Sequence, residues 1–141
     1  MAKDLRMWPP ALVASTLAVA ICVGTAQASA CTPGAQACPV VLRMKPGATA
    51  IDATGSVSGE QPDFYFTFAA KAGQTVLIRT VGGGLKTGPG IPITGPNDVQ
   101  DAVFEDTPYT LPATGSYVID LHANTMSEGP FGRFQITLTI K

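Results

Sequence analysis

Short runs of alternating hydrophobic and polar residues fill most of the chain after residue 39, and Gly, Pro, Asn and Asp separate these runs. A period of two predicts half-buried β-strands. No window sustains a helical period, and twelve Pro and fifteen Gly disfavour long helices. The predicted strands are 40–44, 49–57, 64–70, 74–81, 91–94, 102–105, 109–111, 116–122 and 134–140.

The pattern predicts an all-β fold, a two-sheet antiparallel β-sandwich of jelly-roll-like type, because two sheets bury one face of each strand against each other. Phe66 and Phe68 are expected in the core, with Thr67 exposed between them. There is no internal repeat and no sign of a second domain. Residues 40–141 are therefore predicted to form one sandwich domain, preceded by a tethered extension at 31–39.

The N-terminus has the layout of a secretory signal peptide. Lys3 and Arg6 form a basic segment, an apolar stretch follows at 11–24, and Ala28 and Ala30 give the small-x-small pattern that signal peptidase accepts. The apolar stretch is short for a membrane-spanning helix. We expect cleavage after Ala30, which makes 1–30 a signal peptide and the mature protein periplasmic or secreted.

Two cysteines, Cys31 and Cys38, remain after that cleavage. In an oxidising compartment they can form a disulfide around the Pro33–Gly34 turn. The alternative is a bacterial lipoprotein, in which Cys31 carries lipid and anchors the protein; Ala30 fits that signal, but Ala28 stands where Leu is usual. The two possibilities exclude each other, since a lipidated Cys31 leaves Cys38 without its partner.

The charge of the chain excludes some partners. The formal net charge is −1 at pH 7, and removal of Lys3, Asp4 and Arg6 makes it −2. Nucleic-acid binding requires a basic surface, so we expect none. The motif "LPATG" at 111–115 matches the sortase recognition sequence, but no apolar span follows it. It is better explained as a turn before a strand, and we expect no transmembrane segment in the mature chain.

The sequence offers little catalytic machinery and predicts no enzyme and no cofactor. Asp120 and His122 share a strand face with Ser116, but residues two apart on a strand are about 7 Å apart. A catalytic triad needs hydrogen-bond contact between its members, so a solvated outer face is the simpler interpretation. The loop 82–90, "GGGLKTGPG", lacks the helix that a phosphate loop requires and is expected to be mobile.

One acidic concentration is the weak candidate for a metal site. Its members are Asp98, Asp101, Glu105 and Asp106. Calcium needs six or more oxygen ligands around one point, and this spacing matches no EF-hand. A solvated acidic loop is therefore the favoured interpretation, and a metal site is the weaker one.

Four segments carry a resemblance to a known bacterial pattern. They are "MKPGATAIDATGSVSG", "FYFTFAAKAGQTVLI", "TLPATGSYVIDL" and "GRFQITLTI". Together they resemble the pre-peptidase C-terminal type of β-sandwich, and as an exported single domain the chain also resembles the periplasmic inhibitors of g-type lysozyme. The segment "GIPITGPND" departs from that pattern, with Pro-Asn where Pro-Gly is common, and no enzyme-contacting residue carries over.

The resemblance implies an exported, non-catalytic binding domain that acts on a macromolecule through its loops. The partner would be a protein, such as a lysozyme, or an envelope polysaccharide. The alternative is a carbohydrate- or calcium-binding accessory module of the cell envelope.

Overall fold

A computed structural model describes residues 30–141 of the protein, so the signal-peptide prediction and Ala28 lie outside the described residues. The described chain contains nine strands and one short 3-10 helix at Pro96–Asp98. The strands are β1 (Val40–Val41), β2 (Ala50–Val57), β3 (Asp63–Ala70), β4 (Thr75–Gly82), β5 (Ile91–Thr94), β6 (Gln100–Val103), β7 (Tyr109–Thr110), β8 (Gly115–His122) and β9 (Gly132–Ile140).

The strands form two sheets, which confirms the predicted β-sandwich. One sheet has five strands in the order β1-β3-β8-β5-β6, and the other has four in the order β2-β9-β4-β7. Neighbouring strands are antiparallel except β1 and β3, which pair in parallel. Within residues 30–141 there is no helix whose length and hydropathy would let it span a lipid bilayer.

The core lies between the sheets and contains the aromatic residues that the alternation indicated. Phe66 is fully buried, and its ring centroid lies 5.0 Å from that of Phe64 and 6.1 Å from that of Phe134. Phe68 stacks on Tyr117 at 5.5 Å. The edge-to-face contact between Phe66 and Phe134 joins β3 of one sheet to β9 of the other.

Two strands differ in extent from the prediction. The run expected at 40–44 pairs only as Val40–Val41, although the Leu42 N–H still donates to the Thr67 carbonyl and the Leu42 side chain is buried. The run expected at 102–105 is paired earlier, as Gln100–Val103, because the chain turns after Val103 towards the other sheet. Thr67 is half-buried rather than exposed, and its hydroxyl donates to a backbone carbonyl of β8.

The segment 31–39 packs onto the sandwich. Cys31 and Cys38 are joined by a disulfide. Inside the disulfide loop, the Gly34 carbonyl accepts a hydrogen bond from the Tyr65 N–H at 2.8 Å. Gly34 is buried at φ +82°, and a Cβ there would lie 2.4 Å from the Phe64 ring. The disulfide loop is therefore docked directly on the edge of β3, whereas the sequence predicted a tethered extension.

Candidate functional site

Three loops meet at one end of the sandwich and pack on each other, and we call this surface the loop platform. It comprises the β2–β3, β4–β5 and β8–β9 connections, residues 58–62, 83–90 and 123–131. The Ala123 N–H donates to the Pro62 carbonyl at 2.8 Å, and the Asn124 N–H donates to the Gly84 carbonyl at 2.7 Å. These bonds connect the β8–β9 loop to both other loops, so the platform is already assembled in the free protein.

Close backbone packing within the platform requires glycine at position 84. Gly84 has φ +57°, and a Cβ there would lie 2.7 Å from the Gly129 carbonyl oxygen and 2.9 Å from Pro130. A side chain would push the two loops apart. The segment 82–90, expected from sequence to be mobile, is also bound to β8, because the Lys86 N–H donates to the His122 carbonyl at 2.8 Å.

The tip of the β8–β9 loop presents a large apolar side chain on an ordered turn. Met126 is 94% exposed, and Phe131 in the same loop is 43% exposed. Asn124 orders the turn: its side-chain oxygen accepts from the Met126 N–H at 3.3 Å, and its carbonyl accepts from the Ser127 N–H at 3.0 Å and the Ser127 hydroxyl at 2.8 Å. A flexible, polarisable methionine exposed on an ordered loop is suited to contact a partner surface.

A second cluster lies on the outer face of the five-stranded sheet, where His122 sits between two carboxylates. Its Nδ1 lies 2.6 Å from Asp63 Oδ1, and its Nε2 lies 3.1 Å from Asp120 Oδ2. The separation of about 7 Å expected between the backbones of Asp120 and His122 does not keep their side chains apart. Asp63 joins them because it pairs with His122 across the β3–β8 ladder.

This cluster fixes an imidazole ring but brings no nucleophile to it. Ser116 pairs with Ala69, towards the opposite end of β8 from His122. The described residues contain one group of three potential metal ligands whose ligand atoms all lie within 4.8 Å of one another. Its members are Asp63, Asp120 and His122. Both ring nitrogens of His122 already face carboxylates, so the arrangement orients the side chains of the outer face.

Burial alters the acid–base behaviour of this face. The pKa of Asp120 is raised, chiefly because burial disfavours its ionised form; nearby His122 opposes that shift and Asp63 adds to it. The pKa of Tyr65, which pairs with Asp120 across the ladder, is raised by burial, then by the charges of Asp120 and Asp63, and by the interaction of its hydroxyl with the Asp120 carboxylate. Asp120 Oδ1 is buried and has no hydrogen-bond partner among the described residues.

The acidic residues that the sequence offered as a metal site have separate neighbours. Asp101 accepts from the Tyr109 hydroxyl at 2.6 Å and from the Ala102 N–H at 2.8 Å. The bond to Asp101 raises the pKa of Tyr109 to about 12, and the same bond lowers the pKa of Asp101. Asp98 lies at the end of the 3-10 helix, exposed and at φ 57°.

The other two acidic residues bind groups of β4 and its loop. Glu105 accepts from the Thr80 N–H at 2.9 Å and from the hydroxyls of Thr80 and Thr87. Asp106 pairs with Arg79, with Nε and Oδ1 2.7 Å apart. Glu105 and Asp106 thus join the end of β6 to the four-stranded sheet, and the four acidic side chains do not converge on one point among residues 30–141.

Sequence reasoning missed both the His122 cluster and the loop platform. The cluster depends on the register that places Asp63 opposite His122, and periodicity does not report which residues lie opposite each other. The Asn-Thr-Met stretch carried a usable signal, since Asn favours an ordered turn and Met is apolar, but only the structure shows that three loops pack together.

Comparison with known proteins finds similarity in fold to solved structures, and none in sequence to a protein family or a curated protein. No protein-family model matches the chain, and no curated protein matches it in sequence. Three similar solved structures are PliG, a periplasmic lysozyme inhibitor of g-type lysozyme, from Salmonella Typhimurium, a mutant of the Escherichia coli protein, and PliG from Aeromonas hydrophila. Their identities to this chain are 18%, 20% and 20%, and their TM-scores are 0.60, 0.60 and 0.57.

These likenesses cover 73% of this chain and 97%, 97% and 96% of the three inhibitor chains. The sandwich described above therefore accounts for nearly the whole of each of them. At this sequence identity the likeness establishes a shared fold.

Proposed function

We propose that this protein is an exported, non-catalytic inhibitor that binds a g-type lysozyme through the loop platform. The observation that carries the proposal is the shared fold, which extends over nearly the full length of three periplasmic inhibitors of that enzyme. Fold likeness alone does not define function, and an inhibitor of this kind also needs a surface suited to a protein partner.

The loop platform is such a surface because its loops already become ordered when the protein folds, before any partner binds. Hydrogen bonds between its loops and the turn built by Asn124 fix the backbone around Met126. A preformed loop loses little conformational entropy on binding, which favours affinity. Met126, with 94% of its surface exposed, supplies an apolar side chain that can enter a cleft in the partner.

Export agrees with the cysteine chemistry. The disulfide between Cys31 and Cys38 persists in an oxidising compartment such as the periplasm or the extracellular space. The signal-like N-terminus, with its expected cleavage after Ala30, directs the chain to the same compartments.

The direct test measures lysis of bacterial cell walls by a purified g-type lysozyme in the presence of residues 31–141 with the disulfide intact. We expect inhibition that saturates at one inhibitor per enzyme, and a complex of that stoichiometry in gel filtration. A lysozyme of another type serves as the specificity control. Full lytic activity at a large excess of the protein, together with no complex, would refute the inhibitor proposal.

A pair of variants tests the surface. Met126→Ser should weaken binding by about tenfold or more, because an apolar contact at the centre of an interface contributes about 1–2 kcal/mol or more to the free energy of binding. Val99→Ser is the matched control, since Val99 is also apolar and 54% exposed but lies between the 3-10 helix and β6, outside the platform. If both variants weaken binding equally, or if neither weakens it, the contact lies elsewhere on the sandwich.

The calcium-binding alternative predicts a different result in a simple experiment. A calcium site specific to the folded state would raise the melting temperature when calcium replaces a chelator. We expect the two melting curves to coincide, because Asp101, Glu105 and Asp106 each bind a separate partner and do not converge on one point.

A further inference from the structure

The two sheets end in four edge strands, β1, β6, β2 and β7, and three of these are short. β1 and β7 contain two residues each, and β6 contains four, of which Ala102 donates its N–H to a neighbouring carboxylate. Where β1 is absent, the Gly34 carbonyl accepts from the Tyr65 N–H of β3. Where β7 is absent, the Ile78 carbonyl of β4 accepts from the Asp106 N–H. Short and capped edges protect a sheet against pairing with another chain.

The edge strand β2 differs, because it is eight residues long and β9 is its one neighbour among residues 30–141. The Ile140 N–H donates to the Thr49 carbonyl just before β2, so the ladder with β9 continues through every second residue, at 51, 53, 55 and 57. The residues between them point their N–H and C=O groups away from β9. They are Ala50, Asp52, Thr54 and Ser56, which are all exposed and whose outward backbone groups bind nothing else in the described part of the chain. Such a row of groups can accept one more strand.

The side chains of β2 suit an antiparallel pairing of this strand with itself. A twofold axis through Thr54 places Thr54 opposite the same residue of a second copy. Asp52 then lies opposite Ser56, so a carboxylate faces a hydroxyl, whereas an axis through Asp52 would bring two carboxylates together. On the other face of the strand, Ala53 lies opposite Gly55. The residues around the axis are therefore small, and they let the two backbones approach to hydrogen-bond distance.

The charges at the two ends of β2 have opposite signs, which favours the antiparallel direction. Arg43 and Lys45 line an open groove of about 370 Å³ beside the start of the strand, together with Ala48 and Asp52. The ion pairs within residues 30–141 include neither of these two cations. Glu60 is exposed in the turn that follows the end of the strand. Continued past the strand ends, the register described above brings that turn towards Ala48 of the second copy, so each acidic end meets a basic end.

We propose that β2 pairs with β2 of a second copy of this chain, in an antiparallel dimer with its twofold axis at Thr54. The two four-stranded sheets then form one continuous sheet, and the outward N–H and C=O groups of the two strands bind each other. One pair of strands makes a small interface, so the association is weak and reversible. The proposal does not rest on lysozyme inhibition, since self-association is measured in the absence of any enzyme.

Analytical ultracentrifugation of residues 31–141 with the disulfide intact, over a series of protein concentrations, tests for the dimer. We expect a reversible equilibrium between one copy and two. A single copy at every concentration would leave the edge to a segment of a different protein and would overturn the dimer.

Hydrogen exchange followed by NMR locates the contact. At concentrations where the dimer predominates, exchange should slow at the outward amides of Asp52, Thr54 and Ser56. It should stay the same at the amides of Ile51 and Ala53, which are bonded to β9 in one copy and in two. A dimer whose outward amides exchange as fast as those of the single copy would place the contact elsewhere and overturn the proposal.

A lysine at the twofold axis tests the register. Thr54→Lys places two like charges opposite each other and should raise the dissociation constant about fivefold or more. Val81→Lys is the matched control, because Val81 is 66% exposed on the same face of the sheet but lies on β4, two strands from the β2 edge. It should leave the dissociation constant unchanged. Equal weakening by the two variants would show a general charge effect and argue against pairing at β2.

A charge exchange tests the direction of pairing. Glu60→Lys alone, or Lys45→Glu alone, should raise the dissociation constant about threefold, in line with the strength of exposed ion pairs. The double variant should restore the wild-type value, because each end of β2 then again meets the opposite charge. A double variant that dimerises no better than either single variant would contradict the antiparallel arrangement.

Discussion

Replacement of Phe66 by alanine tests the core most directly. Phe66 is 0% exposed, lies on β3 beside Phe64, and contacts Phe134 of the opposite sheet edge-to-face. The substitution removes a fully buried aromatic ring and leaves a cavity between two sheets held by their own ladders, so the site cannot collapse easily. We expect a loss of about 3–5 kcal/mol in the free energy of unfolding. That is a large part of the ~5–15 kcal/mol available to a domain.

The matched control is Phe104→Ala, the same chemical change at a phenylalanine that is 53% exposed. It should cost less than about 1 kcal/mol, because most of that ring is in water in both states. Urea unfolding followed by circular dichroism gives both free energies, and Phe66→Ala should also melt ~10 °C or more below the wild type. Similar losses for the two variants would refute the assignment of Phe66 to the centre of the core.

Three further predictions concern the disulfide, the Tyr109 hydroxyl and the Asp120 carboxylate. Replacing Cys31 and Cys38 by serine should lower the free energy of unfolding by roughly 2–3 kcal/mol in the entropy model. It should also speed hydrogen exchange at the Tyr65 amide, which exchange mass spectrometry measures. Unchanged exchange at that amide would contradict docking of the disulfide loop. Asp101→Ala should lower the pKa of Tyr109 from about 12 towards its ordinary value near 10, read from tyrosinate absorbance during an alkaline titration. Because the pKa of Asp120 is raised on folding, its stabilising contribution is complete below the unfolded-state pKa of about 4 and is lost as the pH rises through the folded value. The stability of Asp120→Asn relative to the wild type should therefore increase over that rise, and a constant difference in urea unfolding would argue against the shift.

Alternation along the chain was sufficient to predict the sandwich because each strand has one face in the core. Phe64, Phe66 and Phe68 show the principle: every second residue is buried, and the period of two is visible in the letters. Strand ends were less predictable where pairing, rather than burial, sets the boundary. Leu42 is buried and apolar like a strand residue, but it follows the last paired residue, Val41, of a two-residue edge strand.

The candidate sites were harder to predict because they depend on contacts between residues far apart in sequence. Asp63 and His122 are 59 positions apart, and their contact requires one register of β3 against β8. If that register shifted by one residue, the side chains of Asp63 and His122 would lie on opposite faces of the sheet. Composition and spacing carry no information about that choice, so the sequence indicated a solvated outer face where the structure has an organised cluster.

The chemistry of Cys31 determines more than the location of the protein. Gly34, which docks on β3, lies inside the loop that the disulfide closes. Lipidation of Cys31 would anchor the chain, and it would also leave Cys38 unpaired and open that loop. The docking of Gly34 on β3, the turn bonds within the loop and the hydrogen bond from the Gln61 side-chain amide to the Pro33 carbonyl would then hold the loop in place. Since the disulfide restricts the loop to the docked form, oxidation of these two thiols and the docking of the loop on β3 are linked. Reduction should therefore speed hydrogen exchange at the Tyr65 amide, and within the loop platform it should affect the Gln61 contact first.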